Sequence, residues 1–325
     1  MILTLNTQPA KKEMRLGISS CLLGEKVRYD GGHKLDHYLK NTLGPFVQWV
    51  PVCPEVEIGL TVPREAMRLV GTPESPRLLT NRAGVDYTDI MVRWTKKKVQ
   101  ELGQKKLCGF VFKSRSPSSG MKGVKVYNLS GIPSTRGVGI FAKAVMDKFP
   151  FLPMEDDSRL QNPQLRENFV ERIFVYKRWK EFDQRGGCLK DLVTFHTNHK
   201  LQILSHSPRH YTALGNLVAN AKKYQPEDLQ AHYLKTLMEG LRLLATCKKN
   251  TNVLIHIAGY FKKLLSVDEK KELTEVIQNY HQELIPLIIP IVLIMHYVRK
   301  YDQPYLKSQY YLHPHLVELM LRNHV

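Results

Sequence analysis

The chain has 325 residues, 43% of them apolar, and carries 48 Lys and Arg against 30 Asp and Glu, a formal charge of +18. Such a length favours two domains, and the apolar fraction suffices for ordinary cores. The most apolar stretch, residues 284–298, is interrupted by Pro286 and Pro290 and falls short of the ~20 residues of a bilayer span, so it is expected as a core helix. Five cysteines, an odd number, with no apolar leader at the N-terminus, argue against a secreted disulfide framework. A reducing cytoplasm is expected, where thiols serve metals or catalysis. Up to residue 155 there are 24 basic and 13 acidic residues, and beyond it 24 and 17. The excess is therefore not a tail. An anionic partner, most simply nucleic acid, is the first reading, and a merely basic soluble protein the other.

In chain order, residues 1–13 form a polar leader. The run Arg15-Leu16-Gly17-Ile18-Ser19 reads as a buried strand, with Cys21 just beyond it in Ser20-Cys21-Leu22-Leu23-Gly24. Residues 35–43 are a possible helix. A second strand, residues 46–52, ends at Cys53-Pro54-Glu55. A helix starts near Asp86 and continues past Leu102, and its Lys96-Lys97-Lys98 run suits a solvated face. A third strand, 107–113, contains Cys108 and leads into Ser114-Arg115-Ser116-Pro117-Ser118-Ser119-Gly120. Residues 124–127 make a strand, and a helix begins near Gly137 and ends near Pro150. Strands alternating with helices predict a parallel α/β domain over 14–150. Residues 151–162 read as a linker. Beyond it the spacing is helical throughout, over about 165–179, 189–205, 208–221, 226–245, 250–265, 267–282, 285–301 and 316–322, so 163–325 is expected to be all-α.

Ligands of open α/β sheets bind beyond the carboxyl ends of the strands. Three strand ends here lead into thiols or polar loops, which marks one candidate site. A thiolate at such a position serves as metal ligand or nucleophile, although free cysteines are also often small buried hydrophobes. No Cys-x-x-Cys pair occurs, which disfavours a zinc knuckle. Arg28, Lys113 and Arg115 suit phosphate, and Asp30-Gly31-Gly32 suits a turn. In the helical half, His196, His199 and Lys200 share a face that is either core or RNA-facing. His256, Tyr260, Phe261 and Lys262 interleave aromatic and basic groups, as stacking on RNA requires, or else as an amphipathic helix places them.

The motifs Ser20-Cys21-Leu22-Leu23-Gly24, Arg28-Tyr29-Asp30-Gly31-Gly32-His33, Pro51-Val52-Cys53-Pro54-Glu55 and Lys113-Ser114-Arg115-Ser116-Pro117-Ser118 occur in one order over residues 14–150. Together they resemble the TudS-like thiouracil desulfidase family. Phe195-His196-x-x-His199-Lys200, His206-Ser207-Pro208, Asn252-Val253-Leu254-x-His256-Ile257-x-Gly259-Tyr260-Phe261-Lys262 and Leu321-Arg322-Asn323 resemble the YbgA-like domain. The first resemblance implies a Rossmann-like fold and a [4Fe-4S] cluster on three cysteines, with one iron open to take sulfur. The two together imply a desulfidase that returns 4-thiouridine in tRNA to uridine. Cys21 and Cys53 match two cluster ligands. Where the family often has a third cysteine this chain has Ser119, a poor iron ligand beside thiolates. Cys108 is taken as the third ligand, provided its strand is short or bent, because a straight one puts it about 15 Å from the loop. Ser119 or a non-protein ligand is the alternative. Glu55 is implied as proton carrier, with Ser114 and Ser116 assisting. Arg28, Asp30, Lys113, Arg115, His199, Lys200, Tyr260 and Lys262 are the expected substrate and RNA contacts. Desulfuration of free thiopyrimidine bases and cluster-free nucleic-acid binding are the competing functions.

Overall fold

The computed structural model describes residues 14–128, 130–316, 319 and 321–323. The expected leader lies outside the described residues, as do positions 317, 318 and 320 of the helix expected last. The chain divides into two compact units, Met1–Asn162 and Pro163–Val325.

The first unit runs β1 (Arg15–Ser19), β2 (Gln48–Val52), a short α1 (Pro54–Glu57), β3 (Met67–Gly71), β4 (Pro76–Thr80), α2 (Thr88–Gln104), β5 (Gly109–Phe112), β6 (Val124–Tyr127), β7 (Pro133–Gly137), α3 (Ile140–Lys148) and β8 (Met154–Asp156). One sheet has the order β2-β1-β5-β8 and is wholly parallel. Its central strands are apolar on both faces, as a covered parallel sheet requires. Leu16, Ile18, Phe110, Val111 and Phe112 are fully buried. Phe110 stacks on Phe112 at 4.2 Å and meets Phe141 of α3 edge-on at 5.9 Å. The helix expected over 35–43 shrinks to a single wide turn, Tyr38–Leu43.

Two features depart from the expected single sheet. A second sheet, ordered β4-β3-β6-β7, pairs β3 with β6 in parallel and forms antiparallel hairpins on either side. Only β6 of its strands was expected. Its inner face packs Leu69, Leu78, Val124 and Val126 on Met91 of α2. Secondly, the expected linker is not one. Within it β8 pairs with β5 through Phe110↔Met154 to Phe112↔Asp156, and all three of its residues are buried. Its acidic residues look solvated in sequence but are satisfied locally. Arg159 Nε donates to Glu155 Oε1 at 2.7 Å, and Ser158 Oγ donates to Asp156 Oδ1 at 2.6 Å.

The second unit is helical: α4 (Pro163–Gln184), α5 (Leu189–His206), α6 (Pro208–Ala219), α7 (Pro226–Leu241), α8 (Cys247–Tyr260), α9 (Val267–His281), α10 (Ile288–Lys300) and α11 (Pro304–Lys307). The three- and four-residue apolar spacing becomes a core. Val253, Leu254 and Ile257 of α8 meet Leu273 and Ile277 of α9, and Ile291, Ile294 and Val298 of α10. Ser266 and Glu269 form a reciprocal capping box at the start of α9, a device that satisfies two otherwise orphaned N–H groups. No helix among the described residues is long and apolar enough to cross a membrane.

Candidate functional site

The carboxyl ends of β1, β2 and β5 open on a cleft of about 490 Å³. After β1 the chain enters a tight turn, Ser20–Leu23, which Gly24 ends in the left-handed conformation, φ 92°. The turn buries Cys21, and the carbonyl of Cys21 accepts N–H groups from Gly24 and Lys34. After β2, Cys53 takes the position before α1, so Glu55 falls in the first turn of that helix. After β5, the backbone N–H of Lys113 donates to Ser19 Oγ at 2.9 Å, tying the two central strand ends together. The loop beyond folds on Ser116, whose Oγ accepts the N–H groups of Ser118 and Ser119. Gly139, just before α3, backs this loop: a Cβ there would lie 2.5 Å from the Ser118 carbonyl. Only glycine permits that approach.

Within the cleft Glu55 is the hub. Oε1 accepts from Ser118 Oγ at 2.6 Å, Oε2 accepts from the Cys53 thiol at 3.6 Å, and Arg64 Nη2 stands 4.0 Å from Oε2. Ser118 Oγ is in turn 3.0 Å from Ser116 Oγ and 3.3 Å from Ser119 Oγ. Burial pushes the Cys21 thiol up to about 11 against the opposing pull of Lys113 and Arg28. Burial, reinforced by the Glu55 carboxylate, pushes Cys53 up to about 12. Both sulfurs are therefore protonated thiols at neutral pH until a cation takes the place of the proton. The arrangement can pass a proton along Ser116, Ser118 and Glu55 to a group beside Cys53.

Cys21, Cys53, Glu55, Ser114, Ser116, Arg28, Lys113 and Arg115 all line this cleft, together with Ser119. Cys108 does not. The strand is straight and parallel to β1, with Gly109 opposite Leu16, and the Cys108 N–H donates to the Arg15 carbonyl. Cys108 thus sits, buried, at the end of the sheet away from Cys21, which corrects its expected place as third thiol. Asp30 stays outside the lining: it accepts the Gly32 N–H and pairs with Arg28 at 3.4 Å. The Lys113 ammonium is bound to Asp157 at 2.8 Å and to Ser114 Oγ at 2.8 Å, so its charge is already matched. Asp157 lay in the expected linker and gave no signal. Ser118 stood inside a quoted motif, but only the fold connects it, and Arg64, to Glu55.

In the second unit His199 is 1% exposed. Its Nδ1 faces the Phe195 carbonyl at 2.7 Å, and its ring stacks on Phe195 at 4.0 Å. It is a core residue, which corrects its expected RNA-facing role, and burial drives it well below the usual imidazole range. Lys200 lies over the Tyr305 ring at 4.7 Å, and Tyr260 stacks on that ring at 5.1 Å. Lys262 is exposed and Phe261 fully buried. A second cavity, of about 330 Å³, holds a buried cluster that sequence reasoning missed. Glu171 accepts from His206 Nε2 and from Arg322 Nη2, each at 2.8 Å, while Arg322 Nε reaches Glu167 at 3.2 Å. Burial alone would raise the Glu171 carboxyl, but the His206 hydrogen bond and the Arg322 charge hold it well below the carboxylate range.

Two family models match the chain. Residues 16–157 match 2-thiouracil desulfurase, and residues 200–315 match a protein family of unknown function, DUF1722. The uncharacterized protein YbgA of Escherichia coli (strain K12) is 30% identical over 151 residues, 46% of this chain and 89% of that protein. A solved structure titled [4Fe-4S]-dependent thiouracil desulfidase TudS is similar with a TM-score of 0.38 and 26% identity. The match covers 46% of this chain and 94% of that one.

Proposed function

The chain joins a TudS-like 2-thiouracil desulfurase domain to a YbgA-like domain and belongs to the YbgA family, and from that premise we propose that it removes sulfur from 4-thiouridine in tRNA, leaving uridine. Water supplies oxygen to the thiocarbonyl carbon and sulfur departs with two protons as hydrogen sulfide. No electron is gained or lost. The observation that carries this reading is the position of Glu55, between the Cys53 thiol and the Ser118 hydroxyl, in a cleft that Arg28, Arg64 and Arg115 also line.

The donors of the cleft suit a [4Fe-4S] cluster at two protein positions, Cys21 and Cys53, and Ser119 offers an oxygen at the third. When bound, the cluster supplies a Lewis-acidic iron with affinity for the departing sulfur. The remaining work falls to the chain. Glu55 takes a proton from the attacking water and returns one to the leaving sulfur, with Ser118 fixing its orientation. Ser116 holds the loop that carries Ser118. Arg28 faces the phosphate of the reacting nucleotide, and Lys113, matched by Asp157, anchors Ser114 at the edge of the cleft. The positive charge of both halves suits a polymeric substrate, since a free base has no phosphate to meet it.

The test is anaerobic incubation of the iron-loaded full chain with tRNA containing 4-thiouridine. Loss of the thiocarbonyl absorption band, release of sulfide and recovery of uridine are expected. Iron-loaded protein that releases no sulfur from this RNA overturns the reading, and release from free thiouracil alone makes the enzyme one of free bases. A second reading, a cluster-free nucleic-acid-binding protein, draws on the hydroxyl of Ser119 in the third position. Protein that stays colourless and iron-free after reconstitution, yet binds RNA, would establish it.

A further inference from the structure

The cleft does not end at its own rim. Met67, Arg115 and Pro117 line both the cleft and an adjoining open groove of about 630 Å³ on the second sheet. Strand alternation sets what this groove presents. Val124 and Val126 of β6 point to the core, so Lys125 and Tyr127 point out, and in β3 the buried Leu69 leaves Arg68 exposed. The parallel register Leu69↔Val126 brings Arg68 alongside Lys125, and the Arg68 guanidinium lies over the Tyr127 ring, 5.3 Å from its centroid. Arg115 joins them from the Ser114–Gly120 loop, with its backbone in the left-handed region at φ 57°. Non-glycine residues hold that conformation at a cost and mostly where the surroundings impose it. Among the described residues no carboxylate lines the groove, and neither Arg115 nor Lys125 forms an ion pair. Three unmatched cations around an aromatic face, continuous with a reaction cleft, complement a polyanion with π-faces.

We propose that this sheet face holds the nucleotide adjoining the reacting one on a single RNA strand. Arg115 and Lys125 take its phosphate, and its base stacks on the tyrosine platform that Arg68 braces. The proposal rests on the RNA reading above and extends it to a second subsite. Stacking of this kind tolerates any base, so the subsite fixes strand position without reading sequence.

The experiment is fluorescence anisotropy of the full chain with a fluorescein-labelled single-stranded RNA carrying one 4-thiouridine, across a salt series. Tyr127→Ala should weaken binding about tenfold, whereas Tyr127→Phe, which keeps the ring, should bind as the native chain does. Lys125→Ala should flatten the slope of log Kd against log salt by about 0.7, whereas Arg68→Ala, which removes the brace of the ring, should weaken binding at every salt concentration. Circular dichroism checks that each variant is folded. Native-like affinity and slope in Tyr127→Ala, Lys125→Ala and Arg68→Ala overturn the subsite while leaving the RNA reading intact. A native chain that binds no RNA overturns that reading instead, and the subsite with it. Polyglutamate that displaces the RNA as well as unlabelled RNA does makes the face a dock for acidic protein, which also overturns the proposal.

Discussion

Glu55→Gln separates proton transfer from mere shape. In the native cleft Oε1 is 2.6 Å from Ser118 Oγ and Oε2 is 3.6 Å from Cys53 Sγ. The amide of glutamine keeps the acceptor for Ser118 and nearly the same volume, so the loop and both thiols stay in place. It can neither take up nor release a proton. General acid–base catalysis contributes typically 10²–10⁴-fold, so kcat should fall by that factor, a barrier increase of about 3–5 kcal/mol, while KM stays within a few-fold. Ser118→Ala leaves the carboxylate able to carry protons but removes one hydrogen bond to a charged group. That bond is worth about 1.5–3 kcal/mol, which predicts a loss of roughly 10- to 150-fold. Both are measured as single-turnover desulfuration under anaerobic conditions, with iron content matched to the native chain. Glu55→Gln within threefold of native activity at equal iron refutes the assignment. A greater loss in Ser118→Ala than in Glu55→Gln would move the proton-carrying role to the serine.

Iron analysis after anaerobic reconstitution should show loss of metal in Cys21→Ala and Cys53→Ala and retention in Cys108→Ala, whose thiol lies beyond reach of the cleft; Ser119→Cys should retain iron longer under chelator. Arg322→Met leaves the buried Glu171 short of its guanidinium partner, and breaking a buried pair in this way costs about 3–5 kcal/mol, to be read from urea unfolding of the full chain. Glu171 is held below its ordinary value of 4.5 in the fold, so its stabilisation is present above that pH and is lost as pH falls below it. Unfolding midpoints of the helical unit should drop on acidification, and more shallowly in Glu171→Gln. Desulfuration of thiolated tRNA should weaken steeply with salt, and any turnover of a free thiobase should barely change.

The parts of the fold that follow from continuous burial or from simple periodicity were legible. The central strands β1 and β5 are apolar on both faces, and the helices of the second unit repeat their buried positions every three or four residues. The second sheet escaped notice because its strands are short and half-exposed. In β7, Pro133–Gly137, only Gly137 is buried, so no apolar pattern marks it. β8 was hidden by Glu155 and Asp156, whose burial depends on Arg159 and Ser158 folding back on them. At the site, the thiols Cys21 and Cys53 could be placed because strand ends dictate their position. Cys108 misled because its reach to the loop required a short or bent strand, and the unbroken register of Gly109 to Val111 with Leu16 to Ile18 leaves it before the start of β5. His196 and His199 share a helical spacing, but spacing cannot say which side of the helix meets the core, and Phe195 and Tyr310 stack on the ring of His199.

The pairing of Lys113 with Asp157 bears on how the first unit comes into being. Asp157 follows the last strand of its sheet, so the residue that settles the charge at the cleft is among the last of the unit to be synthesised. Without the residues beyond 153 the sheet lacks its β8 edge and the Lys113 ammonium lacks its carboxylate partner. The site is therefore complete only where β8 is paired with β5 and Asp157 faces Lys113. Any shortened chain meant to carry the chemistry alone has to run past Asp157. One cut at residue 150 would remove the edge strand and the counter-charge together, and would report on a cleft that lacks both.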